Sequence, residues 1–127
     1  MTASSLLRVR AMDRELDGET YKAFAAALAQ SKRGQLRELR MELKGGPPDT
    51  RRLVAEKMWA FGPAATGPLA EALGDPVAEV RIAAAGSLGR MGPSASGARE
   101  ALAKAAKDRE ADVRTAATAA LKAIAGE

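Results

Sequence analysis

One segment of this chain occurs twice. The residues that return after a constant shift of 33 positions are Asp75, Val80, Arg81 and Leu88, which recur as Asp108, Val113, Arg114 and Leu121. A fixed period of about 20–50 residues is typical of stacked-repeat proteins, in which each unit buries its apolar face against its neighbours. The period therefore predicts a short solenoid, which offers a continuous surface for binding rather than an enclosed pocket.

The apolar residues within the repeat have helical spacing. One helical stripe contains Val77, Val80, Ala84, Leu88 and Met91. We expect this helix to have Asp75 as its N-cap, to begin at Pro76 and to end at Gly92. A second helix over residues 96–107 completes an αα-hairpin, and no window alternates apolar and polar residues as a half-buried strand does.

The repeat becomes degenerate towards the beginning of the chain. Gly62-Pro63 matches Gly92-Pro93 at a shift of 30, whereas residues 1–44 do not fit the repeat. We predict three helices there, over residues 4–16, 20–30 and 33–44, followed by a turn at residues 45–48. The predicted fold is all-α, an α-α superhelix in a single domain. Residues 1–46 would form an N-terminal helical cap, and residues 47–127 about two and a half repeats.

Composition limits the chemistry that this chain can perform. It has 127 residues, a formal net charge of +4, and neither cysteine nor histidine. Disulfides, thiolate and imidazole metal ligands, and the commonest general base are therefore excluded, so we expect no catalytic residue, no metal and no cofactor. The sequence lacks a run of about 18 apolar residues and a recognisable signal peptide, so we expect a cytoplasmic protein with no membrane span.

The repeated segment also carries a family resemblance. The motif D-x-x-x-x-V-R-x-x-A-A-x-x-L-x-x-x-G spans Asp75–Gly92 and recurs with a shifted end over Asp108–Gly126. It resembles HEAT-like repeats of the phycobilisome-lyase type, which implies a short HEAT-like solenoid and points to a bacterial protein. This broad class includes bilin lyase subunits, an iron-dependent hydroxylase, DNA glycosylases and protein-binding scaffolds. The hydroxylase type needs histidine ligands that this chain lacks, and the glycosylase type uses several aromatic residues where this chain has one tryptophan.

The densest positive feature follows one face of the third predicted helix. Basic residues there have the spacing i, i+4, i+7 and i+11, and two arginines follow just past the turn. Such a face can contact an acidic protein or phosphates, although Glu38 and Glu42 dilute it and most charge runs are simply solvated. Together with the single tryptophan of the chain, these basic residues are the candidate partner-binding residues: Arg33, Arg37, Arg40, Lys44, Arg51, Arg52 and Trp59.

Two further features have both a structural and a functional interpretation. Arg81 and Arg114 form either a row of cations for an acidic ligand or, as we favour, ion pairs with residues such as Asp75, Asp108 or Asp112 that join neighbouring repeats. Trp59 aligns with positions off the apolar stripe. It either anchors a partner or, as we favour, packs against the N-terminal helices.

These observations predict a protein–protein interaction module, an adaptor or regulatory subunit that is not itself an enzyme. Its partner would be another protein, whose identity the sequence does not give. An alternative is a binder of nucleic acid or another polyanion through the basic helix. A third interpretation is an accessory subunit of a lyase-like enzyme. The oligomeric state stays open.

Overall fold

The structure, a computed structural model, describes residues 33–126, with side chains from residue 35 onwards. Its α-helices are α1 (Arg33–Gly45), α2 (Pro48–Lys57), α3 (Thr66–Ala72), α4 (Ala78–Met91), α5 (Arg99–Ala105) and α6 (Ala111–Ile124). Two 3-10 segments, η1 (Met58–Ala65) and η2 (Gly92–Ala98), lead from α2 to α3 and from α4 to α5. Every element in this part of the chain is helical, which confirms the predicted all-α class. The helices predicted over residues 4–16 and 20–30 lie outside the described residues.

The helices stack in two layers. In one layer α4 packs between α2 and α6, and in the other α3 lies between α1 and α5. Each helix of the second layer also contacts the next first-layer helix along the chain, so α1 packs on α2, α3 on α4 and α5 on α6. Since α1 occupies the place of a second helix of an earlier pair, the layering begins before the residue at which the sequence repeat becomes recognisable. The predicted division of the chain at residue 46 stays a prediction.

A glycine with positive φ follows the first helix of each full repeat, Gly92 directly after α4 and Gly62 within η1 after α2. Gly62 has a φ of 72° and Gly92 has a φ of 60°, and residues that carry a Cβ atom rarely adopt these backbone angles. The predicted start of α4 was wrong by two residues, because its N-cap is Val77 and not Asp75. Asp75 instead accepts a hydrogen bond from the backbone N–H of Val77 at 2.9 Å, closing the turn that precedes the helix.

The core is built from small and aliphatic side chains. Val80, Ala84 and Leu88 of the predicted stripe are fully buried. Leu121, the residue of α6 that recurs in place of Leu88, is only half-buried. The reason is that η2 and α6 pack against α4, whereas no helix is described after α6 to pack against the equivalent position.

Neighbouring first-layer helices approach closely because small residues face each other. A Cβ added at Gly89 of α4 would lie 3.4 Å from the Cα of Ala120 in α6. On its other side, α4 donates a hydrogen bond from the Ser87 hydroxyl to the backbone carbonyl of Ala55 in α2. The face of α6 that points away from α4 exposes the polar residues Thr115, Thr118 and Lys122.

Candidate functional site

Arginine–aspartate ion pairs join successive repeats. Arg51 of α2 donates from Nε and Nη2 to the two carboxylate oxygens of Asp75, at 2.9 and 3.2 Å. Its Nη1 donates to the carbonyl of Gly46 at 2.7 Å. Both side chains are largely buried. The guanidinium of Arg51 is therefore used within the fold.

The next repeat has the same ion pair. Arg81 of α4 donates from Nε and Nη2 to the carboxylate of Asp108, at 2.9 and 3.2 Å. Its Nη1 donates to the carbonyls of Asp75 and Pro76, at 2.8 and 3.1 Å. The structural role predicted for Arg81 is confirmed: one guanidinium links the turn before its own helix to the turn before the next helix.

The electrostatics of this ion pair favour the ionised carboxylate. The backbone N–H of Glu110 donates to Asp108 at 2.9 Å. This bond, followed by the Arg81 guanidinium, lowers the pKa of Asp108 below its ordinary value of 3.8, although burial acts in the opposite direction. Because both pairs are bidentate and largely covered, they fix the orientation of one repeat on the next.

Arg114 of α6 keeps only half of this arrangement. Its Nη1 donates to the carbonyls of Asp108 and Arg109, at 2.8 and 3.1 Å, which are the distances found for Arg81. The residue is exposed, and its Nε and Nη2 contact no carboxylate among the described residues. The aspartate partner expected for Arg114 is therefore absent from the part of the chain that the structure describes.

The outer surface of α1 combines positive charge with an apolar side chain. Arg37, Arg40 and Lys44 are exposed, as the spacing predicted. Met41 lies among them and is 68% exposed, the one large apolar side chain that is exposed among residues 35–126. Lys44 also pairs with Glu71 of α3 at 3.1 Å, an exposed contact that contributes little to stability. We call Arg37, Arg40, Met41 and Lys44 the basic patch.

The sequence prediction missed Met41, although a signal was present. Leu39 and Leu43 are buried, and Leu36 packs beside them, so these leucines define the inner face of α1. Met41 lies off that stripe and four residues after Arg37, which places it on the outer face.

The remaining predicted site residues lie elsewhere. The side chain of Arg33 is outside the described residues. Arg52 pairs with Glu56 one helical turn later, at 2.7 Å. Trp59 is half-buried at the start of η1, and the guanidinium carbon of Arg90 lies 5.2 Å from the centroid of its ring. This cation–π contact links η1 to the end of α4 and does not bring Trp59 to the basic patch.

The grooves between repeats are candidate sites because charged side chains line them. One groove, between α3 and α5, is lined by charged residues that include Glu71, Glu100 and Lys104. Among residues 33–126, no cluster of three or more acidic side chains could hold a metal ion. None of the helices in this part of the chain is both long enough and apolar enough to span a membrane.

Paired helices in two layers, joined by repeated ion pairs, define an α-solenoid. A sequence profile of HEAT repeats matches residues 36–122, and the chain therefore belongs to the HEAT-repeat proteins. Among solved structures it is similar to a chain in the complex of CpcE and CpcF of phycocyanin lyase from Nostoc sp. PCC7120. The TM-score is 0.69 at 20% sequence identity, over 98% of this chain and 81% of that chain. At this identity the similarity shows a shared fold, which confirms the resemblance to HEAT-like repeats of the phycobilisome-lyase type. No curated protein matches the sequence.

Proposed function

We propose that this chain is a protein-binding module, an adaptor or regulatory subunit whose partner docks on the basic patch of α1. The observation that carries the proposal is the exposure of Met41 among three cations. Methionine and arginine are enriched at protein interfaces, where an apolar contact supplies affinity and the surrounding charges supply rate and specificity. An acidic partner surface with an apolar residue at its centre fits this arrangement.

A nucleic acid is the alternative occupant of the same patch. Phosphates are bound by cations, and a neighbouring methionine adds nothing to a backbone contact. The patch is also small, and Lys44 is already paired with Glu71. Protein binding therefore accounts for Met41, whereas polyanion binding leaves it unexplained.

A second candidate function is an accessory subunit of a lyase-like enzyme. It is supported by the similarity in fold to a chain from a phycocyanin lyase complex. In either case we propose that this chain binds and is not itself an enzyme. The whole sequence has no histidine or cysteine to act as a general base or nucleophile. A cytoplasmic location and a bacterial source remain part of the proposal.

The experiment is affinity capture from the native cell with three baits, followed by mass spectrometry. The baits are the wild-type chain, Arg37→Glu/Arg40→Glu, and the matched control Lys104→Glu/Lys107→Glu on and just after α5. Both double variants change the net charge equally at exposed positions. A circular dichroism melt establishes that each bait keeps its fold.

The proposal expects a captured protein that is retained by the control and lost by the α1 variant. As a single substitution in the wild-type chain, Met41→Ser should weaken capture. It should not lower the melting temperature, because the side chain is exposed. If the control loses the partner and the α1 variant keeps it, the basic patch is not the binding surface. Capture that disappears after nuclease treatment, with a steep dependence on salt, would favour a nucleic acid.

A further inference from the structure

Met41 differs from the other methionines of the described residues in its access to solvent. Its side chain is 68% exposed, whereas Met58 is fully buried and Met91 is half-buried against the core. A dissolved oxidant transfers oxygen to a methionine sulfur that it can reach, so susceptibility follows exposure. Within residues 35–126, the thioether of Met41 is therefore the one that such an oxidant meets first.

The position of Met41 on α1 also surrounds its sulfur with cations. Arg37 precedes it by four residues and Lys44 follows it by three, and side chains at these spacings lie on the same face of a helix. A thioether is a weak hydrogen-bond acceptor, whereas the oxygen of a sulfoxide is a strong one with partial negative charge. Guanidinium and ammonium groups therefore favour the oxidised side chain over the reduced one.

We propose that Met41 is a site of reversible oxidation by a peroxide, and that its oxidation releases the partner from the basic patch. The release rests on the proposed function, since the patch must bind a partner before it can lose one. In the reaction the sulfur lone pair attacks one oxygen of hydrogen peroxide, and the O–O bond breaks. The departing hydroxide takes the proton of the transferred oxygen and becomes water. The thioether is thus oxidised to the sulfoxide by two electrons, and the peroxide is reduced.

The sulfoxide changes both components of the patch. The apolar contact that supplies affinity is lost, because the side chain becomes polar and chiral. The sulfoxide oxygen also competes with the carboxylates of an acidic partner for the N–H donors of Arg37 and Lys44. The inner face of α1, formed by Leu39 and Leu43, does not include Met41. Oxidation at this position therefore acts on binding and leaves the fold intact.

The first measurement follows oxidation in the full-length chain. The methionine methyl groups are isotope-labelled, and their five NMR signals are assigned by single Met→Leu substitutions. Dilute hydrogen peroxide is then added, and each signal is followed as it moves to the sulfoxide position. We expect Met41 to be oxidised at least about tenfold faster than Met58, and also faster than Met91. The difference should disappear in urea, where all the side chains are accessible.

The second measurement follows capture of the partner. The baits are the wild-type chain, Met41→Leu and the matched control Met91→Leu. Each is used reduced and after a peroxide treatment short enough to spare Met58, with the peroxide removed by catalase before capture. Wild type and Met91→Leu should lose at least about fivefold of the captured protein after peroxide. They should regain it after treatment with two methionine sulfoxide reductases, one for each epimer. Whatever its own level of capture, Met41→Leu should capture equally before and after peroxide.

Three results would overturn the proposal. One is oxidation of Met41 no faster than that of Met91 in the folded chain. Another is undiminished capture by the oxidised wild-type chain, and the third is a loss of capture in Met41→Leu as large as in wild type. If even the reduced wild-type chain captures no protein, the proposed function fails and the regulation fails with it. The methyl signals still decide, in that case, whether Met41 is the site of oxidation.

Discussion

Arg81 is the residue whose removal tests the repeat interface most sharply. Its side chain is buried and makes four hydrogen bonds of 2.8–3.2 Å, two of them to the carboxylate of Asp108. In Arg81→Met the apolar stem stays and the guanidinium is lost, so packing changes little. Removing one member of a buried, hydrogen-bonded charge pair costs roughly 2–5 kcal/mol, because the partner groups lose their donor. We expect a loss of unfolding free energy in that range.

Arg114→Met is the matched control for this substitution. It removes the same side chain from the same position of the next repeat, where the carbonyl contacts have the same lengths and no described residue supplies a carboxylate. Exposed polar contacts contribute at most about 1 kcal/mol, so the control should lose less than that. The difference between the two variants therefore reports the ion pair with Asp108 together with the burial of Arg81.

The assay is urea unfolding followed by far-ultraviolet circular dichroism, with free energies obtained by linear extrapolation. The loss caused by Arg81→Met should shrink when Asp108 is already Asn, because residues in one network are not additive. Equal losses for Arg81→Met and Arg114→Met, with unchanged slopes, would refute the conclusion that Arg81 joins the repeats.

Three further predictions follow from the fold. Leu88→Ala should cost roughly 2–5 kcal/mol in urea unfolding, as substitutions at fully buried leucines do, whereas Leu121→Ala should cost less because that side chain is half-buried. A loss for Leu121→Ala as large as that for Leu88→Ala would contradict the burial assigned to α6. Gly92→Ala should cost about 1–3 kcal/mol in thermal melts, since φ is 60°; an unchanged melting temperature would show that this turn is not strained. Because the pKa of Asp108 is lowered in the fold, its stabilisation is fully present well above the ordinary pKa of 3.8 and is lost as the pH falls through the lower pKa of the folded state. Asp108→Asn should therefore flatten the acid limb of the stability curve, and an identical acid limb in the variant would refute the role of this carboxylate.

The fold could be predicted because its determinants repeat along the chain. Val80, Arg81 and Leu88 recur at a fixed spacing, and recurrence distinguishes structural positions from accidental ones. Helix ends were also predictable at Gly92, where the backbone needs a positive φ. Asp75 was wrongly predicted to be the N-cap of α4. Its carboxylate accepts a hydrogen bond in the local turn and also pairs with the distant Arg51, and local sequence patterns cannot predict the second contact.

The candidate site was less predictable, because exposure depends on neighbours that are distant in sequence. Arg51 belongs to the same charge run as Arg37 and Arg40, yet it pairs with Asp75, which follows 24 positions later. Met41 was overlooked because methionine is ordinarily assigned to the core. Only the position of α1 on α2 shows which of these side chains faces outward.

Site-specific photo-crosslinking tests the central proposal most directly. A benzophenone amino acid replaces Met41 in one chain and Ala103, an exposed residue of α5 beside Lys104, in the control. Both chains are irradiated in the native cell, and their adducts are resolved by mass. The account predicts a discrete protein adduct at position 41 that is absent at position 103 and resistant to nuclease. An adduct at position 103 alone, or one at position 41 that nuclease removes, would contradict the assignment of the basic patch as a protein-binding surface.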